Sequence, residues 1–224
     1  CDSGFGYALA KTLSGYGILV YAGCYTASAG NRLKQETGSN LRPITLDVTD
    51  SASVRRAAEF VRHTLSKDKQ LWAIVNNAGI LGHTLPTEML TKEDFRQVFE
   101  VNVFGMVDVT NAFLPLLKRS RGRIVNMASI AGIVPFPNWT PYISSKHAAK
   151  GQLWTHKLLH GEASTQLHKV VRAYEDALFS KNPRAVYYPG CAAKYILAIQ
   201  TLPGIIWDRY LLTKLTVFPK AVRK

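Results

Sequence analysis

The stretch LWAIVNNAG, residues 71–79, decides the fold. Its first part, 71–75, is a short continuous apolar run, the pattern of a strand buried on both faces. It stops at Asn76-Asn77-Ala78-Gly79, a polar turn. Strands buried on both faces belong to parallel sheets covered by helices. Outward from this run, strand and helix patterns alternate. Towards the amino terminus, 5–13 reads as helix, 18–22 (ILVYA) as strand and 31–36 as helix. Next come a short strand over 43–46 ending in Asp47, and a helix over 51–65 with Asp50 as its N-cap. Towards the carboxyl terminus, 91–117 is a long helical region opened by a capping box of Thr91 and Asp94. A strand, 123–127 (RIVNM), runs towards Ser129, and Pro141 opens another helix, where its missing N–H is harmless. Residues 169–179 are helical again. The alternation predicts an α/β fold, a doubly wound parallel sheet with helices on both faces. Ligands of such sheets bind outside the carboxyl ends of the strands. Those ends carry Cys24, Asp47, Asn76 to Gly79, and Ser129.

The 224 residues, 47% apolar and 19% charged, suffice for one sizeable domain. A net charge of +13 suits an anionic partner: a nucleic acid, an anionic membrane surface or a phosphate-bearing cofactor. No basic cluster interleaved with aromatics marks a nucleic-acid module, so no nucleic-acid partner is expected. Cys1, Cys24 and Cys191 form neither a metal spacing nor a disulfide framework, which fits a reducing compartment. The histidines show no metal-ligand spacing either, and no metal is expected. The chain divides into a domain over 1–180 and an apolar, basic segment over 181–224. Within that segment, 195–212 is apolar and aromatic but broken by Pro203-Gly204, too short and interrupted for a membrane span. Lys214, Lys220, Arg223 and Lys224 follow it. It suits either the interface of an anionic membrane or a cover over the domain.

Chemistry-bearing residues cluster in two places. At the start, Ser3-Gly4-Phe5-Gly6 opens a helix, and its glycines let backbone N–H groups approach a pyrophosphate. The usual fingerprint places Asp or Glu about 20 residues further on, for a ribose hydroxyl. Ala22-Gly23-Cys24-Tyr25-Thr26 holds no carboxylate there, and Arg32 lies a few residues late for a 2′-phosphate. Asp47 is placed to touch an adenine edge or to cap the turn at Val48-Thr49-Asp50. The second cluster is Ser129, Tyr142 and Lys146. Four residues apart on a helix, Tyr142 and Lys146 share a face. A phenol titrates at about 10, and a nearby ammonium lowers that value into the range of a general acid/base. Ser129 could stabilise charge developing on the same substrate oxygen.

Gly4-Phe5-Gly6, Asn76-Asn77-Ala78-Gly79, Asn102-Val103-Phe104-Gly105, Ser129 and Tyr142-Ile143-Ser144-Ser145-Lys146 occur in one order at fitting intervals. This set resembles the short-chain dehydrogenase/reductase family. The runs CDSGFG (1–6), VYAGC (20–24), LWAIVNNAGI (71–80) and FLPLLKRSRGRIVN (113–126) are similar to its retinol, 17β-hydroxysteroid and 3-hydroxybutyrate dehydrogenase branch, as is the tail over 177–190. The resemblance implies a Rossmann-like NAD(P)-binding catalytic domain over 1–180 that interconverts a lipophilic alcohol and its carbonyl, of steroid or retinoid type. By the same resemblance, Tyr142 is the catalytic acid/base, Lys146 lowers its pKa and holds the nicotinamide ribose, Ser129 orients the substrate oxygen, and Asn102 supports a water-linked proton relay. Ser3, Gly4, Phe5, Gly6, Asp47, Val48, Asn76, Ala78 and Gly79, with Tyr142 and Lys146, would bind the cofactor. NAD is the expected cofactor, with NADP as the alternative. The likeness also implies a homo-oligomer, and residence at the endoplasmic reticulum or a mitochondrial membrane, or in the cytoplasm without an anchor.

Two departures from the pattern carry expectations of their own. No strand precedes Cys1, although in a doubly wound sheet that strand is central. After Lys146, the expected strand with its Pro-Gly turn gives way near Gly151 to Leu153-Trp154-Thr155-His156-Lys157. The domain is therefore expected to be incomplete, missing the first strand and the strand after the catalytic helix. The alternative function is a truncated, non-catalytic relative that associates with a membrane or modulates a dimer.

Overall fold

The computed structural model describes residues 1–151, 157–161 and 167–189. The elements run α1 (Gly4–Gly15), β1 (Val20–Cys24), α2 (Ala27–Glu36), β2 (Leu41–Thr45), α3 (Ser51–Thr64), β3 (Ala73–Asn76), α4 (Lys92–Phe99), α5 (Gly105–Ser120), β4 (Arg123–Ser129), α6 (Thr140–Gly151), β5 (Lys157–Gly161), α7 (Leu167–Phe179) and β6 (Val186–Tyr187). The caps read from the sequence are present. The Asp50 carboxylate accepts from the Ala52 N–H to start α3, and Thr91 and Asp94 close a reciprocal capping box on α4.

The region 91–117 is not one regular helix. A π turn, Glu100–Phe104, separates α4 from α5. Such insertions occur mostly at functional sites, and this one carries Asn102, which is fully buried.

All strand pairs are parallel, and the described strands fall into two sheets, β1-β2 and β3-β4-β5-β6. Among the described residues no strand bonds β1 to β3. Packing nevertheless joins the two sheets on both faces. On one, Leu9 and Leu13 of α1 meet Val125 and Met127 of β4, Val170 and Tyr174 of α7, and the partly buried Val20 and Val75. On the other, Val61 of α3 and Phe113 and Leu117 of α5 pack with Ile74 and Ile124, against Tyr21, Ile44 and Leu46.

One expectation is corrected here. A strand does follow the catalytic helix: β5 lies between β4 and β6, with Val125 opposite Lys157 and Ser129 opposite Gly161. The sequence hid it because only Leu158 and Leu159 stand between Lys157 and His160, too short an apolar run to read as a strand. The expected membrane-interface segment, 195–212, lies outside the described residues. Among the described residues no helix is long and apolar enough to cross a membrane.

Candidate active site

The carboxyl ends of β3 and β4, the π turn and the start of α6 meet at one place. Ser129 ends β4 and is buried. Its hydroxyl accepts from the Ala131 N–H at 3.2 Å and is hydrogen-bonded to the Tyr142 phenol. Burial raises the Tyr142 pKa, and the Ser129 hydrogen bond works against that rise. The ring is held by Trp139, edge-on at 6.2 Å between centroids, which in turn packs on Phe136 at 5.3 Å.

Lys146 lies one turn further along α6 and is only 3% exposed. Its ammonium donates to the Met127 carbonyl at 3.2 Å and sits 5.5 Å from the centre of the Tyr142 ring. Burial lowers its pKa to about 8. In the structure the ammonium is turned towards a backbone carbonyl, beside the Tyr142 ring, and the Ser129 hydroxyl is the phenol's hydrogen-bond partner.

Asn102 clamps this cluster to the loop after β3. Its amide donates to the Ile80 carbonyl at 2.9 Å and to the Ser145 hydroxyl at 3.0 Å, and its oxygen accepts from the Ile80 N–H at 2.8 Å. Ser145 passes the connection on by donating to the Tyr142 carbonyl at 2.7 Å. Both amide hydrogens are committed to these bonds, which hold the π turn to the loop and to α6. Gly79 faces the cluster: a Cβ there would lie 3.3 Å from Asn102 Oδ1 and 3.4 Å from Lys146 Nζ. Its missing side chain keeps a cradle open before both groups, beside the exposed Ala78.

The Asn76 side chain is 7% exposed, and its amide donates to Asn126 Oδ1 at 2.8 Å and Thr110 Oγ1 at 3.0 Å, bracing β3 against β4 and α5. Strand alternation turns its neighbour Asn77 the other way, towards the start of α1. A Cβ on Gly6 would lie 2.7 Å from Asn77 Nδ2, so only glycine permits this approach. Gly4 has φ +65°, which favours glycine. Ser3, the N-cap of α1, makes no side-chain capping bond, and the first turn holds no acidic residue. The N–H groups of this turn, spread by two glycines, fit the phosphates of a dinucleotide. Phe5 packs into the core behind the turn. Of the two roles open to Asp47, the turn cap is present: its carboxylate accepts from the Thr49 N–H at 2.9 Å and the Thr49 hydroxyl at 2.7 Å. Val48 packs where a Cβ on Gly105 would fall, 2.8 Å from its Cγ2.

Two residues escaped the sequence reading. Tyr174, completely buried on α7, donates its hydroxyl to Asn77 Oδ1 at 2.8 Å and so fixes the amide that faces Gly6. Its signal was only a place in the apolar stripe of α7, where a tyrosine reads as core. Asp2 reaches the end of β1, accepting from the Tyr25 N–H at 2.7 Å, the Thr26 N–H at 3.1 Å and the Thr26 hydroxyl at 2.9 Å. That contact is long-range and had no sequence signal. Among the described residues no group of three or more potential ligands could hold a metal.

Comparison with known proteins agrees with this arrangement. The chain is 46% identical over 151 residues to dehydrogenase/reductase SDR family member 9 of Bos taurus, covering 67% of this chain and 47% of that protein. It is 47% identical over 134 residues to human retinol dehydrogenase 16, covering 60% and 42%. It is 43% identical over 136 residues to human 17-beta-hydroxysteroid dehydrogenase type 6, covering 61% and 43%. The chain thus spans about half the length of the curated relatives it matches. A short chain dehydrogenase from Burkholderia cenocepacia J2315, solved in complex with NADP, superposes with a TM-score of 0.77 at 24% identity, covering 94% of each chain. The short chain dehydrogenase family model matches residues 1–171, and the chain belongs to that family.

Proposed function

We propose that this protein is an NAD(P)-dependent oxidoreductase that interconverts a lipophilic alcohol and its carbonyl compound. The observation that carries the reading is the convergence of Ser129, Tyr142, Lys146 and Asn102 beside the Gly79 cradle, at the edge where a doubly wound sheet binds its ligands. Ser3, Gly4 and Gly6 would hold the dinucleotide phosphates, with Ala78, Gly79 and Lys146 beside the nicotinamide end. When bound, the nicotinamide takes a hydride from the alcohol carbon or returns one to the carbonyl carbon. The Tyr142 phenol gives or takes the matching proton at the substrate oxygen, and the Ser129 hydroxyl donates to that oxygen. Trp139 and the partial burial of Tyr142 limit water at the phenol.

The loop after Gly79 supports an apolar substrate. Ile80, Leu81, Leu85 and Met89 are exposed there, and Thr87 ties the loop to the start of α6 through the Thr140 hydroxyl at 2.7 Å. Retinoid or steroid alcohols fit such a wall and agree with the named relatives. Association with a membrane, through 195–224, and a homo-oligomeric state belong to the same reading. The test is cofactor-dependent turnover of retinol and of hydroxysteroids by the full chain. Turnover that falls about 10²- to 10⁴-fold in Tyr142→Phe, the usual size of a lost general acid/base, is expected. Equal turnover by both would contradict the assignment.

Among the described residues β1-β2 and β3-β4-β5-β6 are separate sheets, and a second reading consistent with this is a non-catalytic relative that keeps the fold's outline. Saturable dinucleotide binding without turnover of any retinoid or steroid would support it.

A further inference from the structure

The end of β1 offers no carboxylate of its own to a dinucleotide ribose: Cys24, Tyr25 and Thr26 stand there. The structure brings one from elsewhere. Asp2, just before the glycine turn of α1, lays its carboxylate across that strand end, held by the Tyr25 N–H at 2.7 Å and by the N–H and hydroxyl of Thr26 at 3.1 and 2.9 Å. These three bonds leave acceptor capacity on a carboxylate, which has about four lone-pair sites. Its side chain is 32% exposed, so that capacity is open to a ligand. Partial burial opposes ionisation, but the hydrogen bonds from Thr26 and Tyr25 outweigh it and hold the carboxyl below its ordinary pKa. The nearby cation Arg32 donates to the Asp2 carbonyl at 2.7 Å and lies over the Tyr7 ring at 5.4 Å. Asp2 thus adjoins both the strand end where a ribose is read and the turn where phosphates bind.

We infer that Asp2 is the acceptor for the adenosine ribose hydroxyls and sets a preference for NAD over NADP. The inference rests on the oxidoreductase reading above. A ribose 2′-hydroxyl donates to the carboxylate in a charge-assisted bond. A 2′-phosphate at the same point meets like charge, which in a partly desolvated site is strongly unfavourable. Arg32, which would favour that phosphate, is already engaged with the Asp2 carbonyl and the Tyr7 ring.

The experiment titrates the full chain with NADH and with NADPH, following nicotinamide fluorescence, for wild type, Asp2→Asn, Asp2→Ser and Arg32→Gln. Melting temperatures are taken in parallel, because Asp2→Ser also loses bonds to Thr26, whereas Asp2→Asn keeps the shape. The expected result is tighter binding of NADH by wild type. The ratio should fall by about tenfold or more in both Asp2 variants, as for a lost charge-assisted hydrogen bond, and should not fall in Arg32→Gln. Equal affinities in wild type, or an unchanged ratio in Asp2→Asn and Asp2→Ser, would overturn the inference while leaving the oxidoreductase reading in place. No binding of either nucleotide by wild type would overturn both.

Discussion

The chemical end and the nucleotide end of this molecule are held in different ways. At the chemical end, β3, β4 and β5 share continuous ladders, and buried side chains lock them: Asn76 to Asn126, Lys146 to Met127, Asn102 to Ser145. At the nucleotide end, β1 and β2 form a sheet of their own. They reach the rest through apolar packing on both faces, by α1 on one and by α3 and α5 on the other, and through the approach of Asn77, held by Tyr174, to Gly6. The reacting groups are fixed by a bonded frame, whereas the cofactor cleft rests on apolar packing and a few long-range polar contacts. Damage should therefore be local and chemical at one end, and distributed and affinity-lowering at the other.

The largest expected effect lies in the bonded frame. Burial brings the Lys146 pKa down to about 8 from its ordinary 10.5, so the fold penalises its charged form. The penalty is in full force below about pH 8, shrinks as pH rises towards the unfolded value, and is absent above it. The gap is worth about 3 kcal/mol to order of magnitude. Lys146→Met should stabilise the chain by about that amount at pH 7, with the gain vanishing near pH 10.5, while turnover is lost. Denaturant unfolding at a series of pH values checks it, and a stability difference that does not change with pH would refute it.

A pair of glycine substitutions sharpens the contrast between the ends. In Gly132→Ala the new Cβ would meet the Lys146 carbonyl at 2.7 Å, a backbone atom of α6 that cannot swing aside. A destabilisation of about 2 kcal/mol, typical of overpacking, is expected, together with lost turnover. In Gly6→Ala the new Cβ meets only the end of the Asn77 side chain, which can rotate away. Thermal unfolding should show a smaller stability loss there, and weaker dinucleotide binding. Tyr174→Phe then tests the link itself. Removing the hydroxyl leaves Asn77 Oδ1 without this donor, for a loss of about 1 kcal/mol or somewhat more. If Asn77 positions the glycine turn, dinucleotide affinity should fall with kcat unchanged, which a purely structural role would not produce. The smallest effect is expected far from either end: Thr91→Ala removes the α4 capping box and should cost about 1 kcal/mol, with no change in nucleotide affinity.

Legibility in the sequence followed the same division. Ser129, Tyr142 and Lys146 stood out because, with the other motifs in order along the chain, they resemble the family's pattern, and both caps could be read because capping is local. Four features were hidden because they depend on contacts distant in sequence or on register. Asn76 turns inward and Asn77 outward by strand alternation, which a motif does not display. Asp2 and Tyr174 act across 23 and 97 positions of chain respectively. β5 is specified by its pairing with β4 more than by its own apolar content. The hydrogen bond from Ser129 to the phenol and the burial of Lys146 were likewise not displayed by spacing alone.

Function in this protein requires that the two sheets form one cofactor cleft. The decisive measurement is a calorimetric titration of the full chain with NADH, alongside Gly6→Asp and Tyr142→Phe. The account predicts saturable binding in wild type, kept in Tyr142→Phe and abolished in Gly6→Asp, where a carboxylate would stand beside Asn77 at the phosphate turn. Binding that survives Gly6→Asp, or no saturable binding in any of the three, would contradict it.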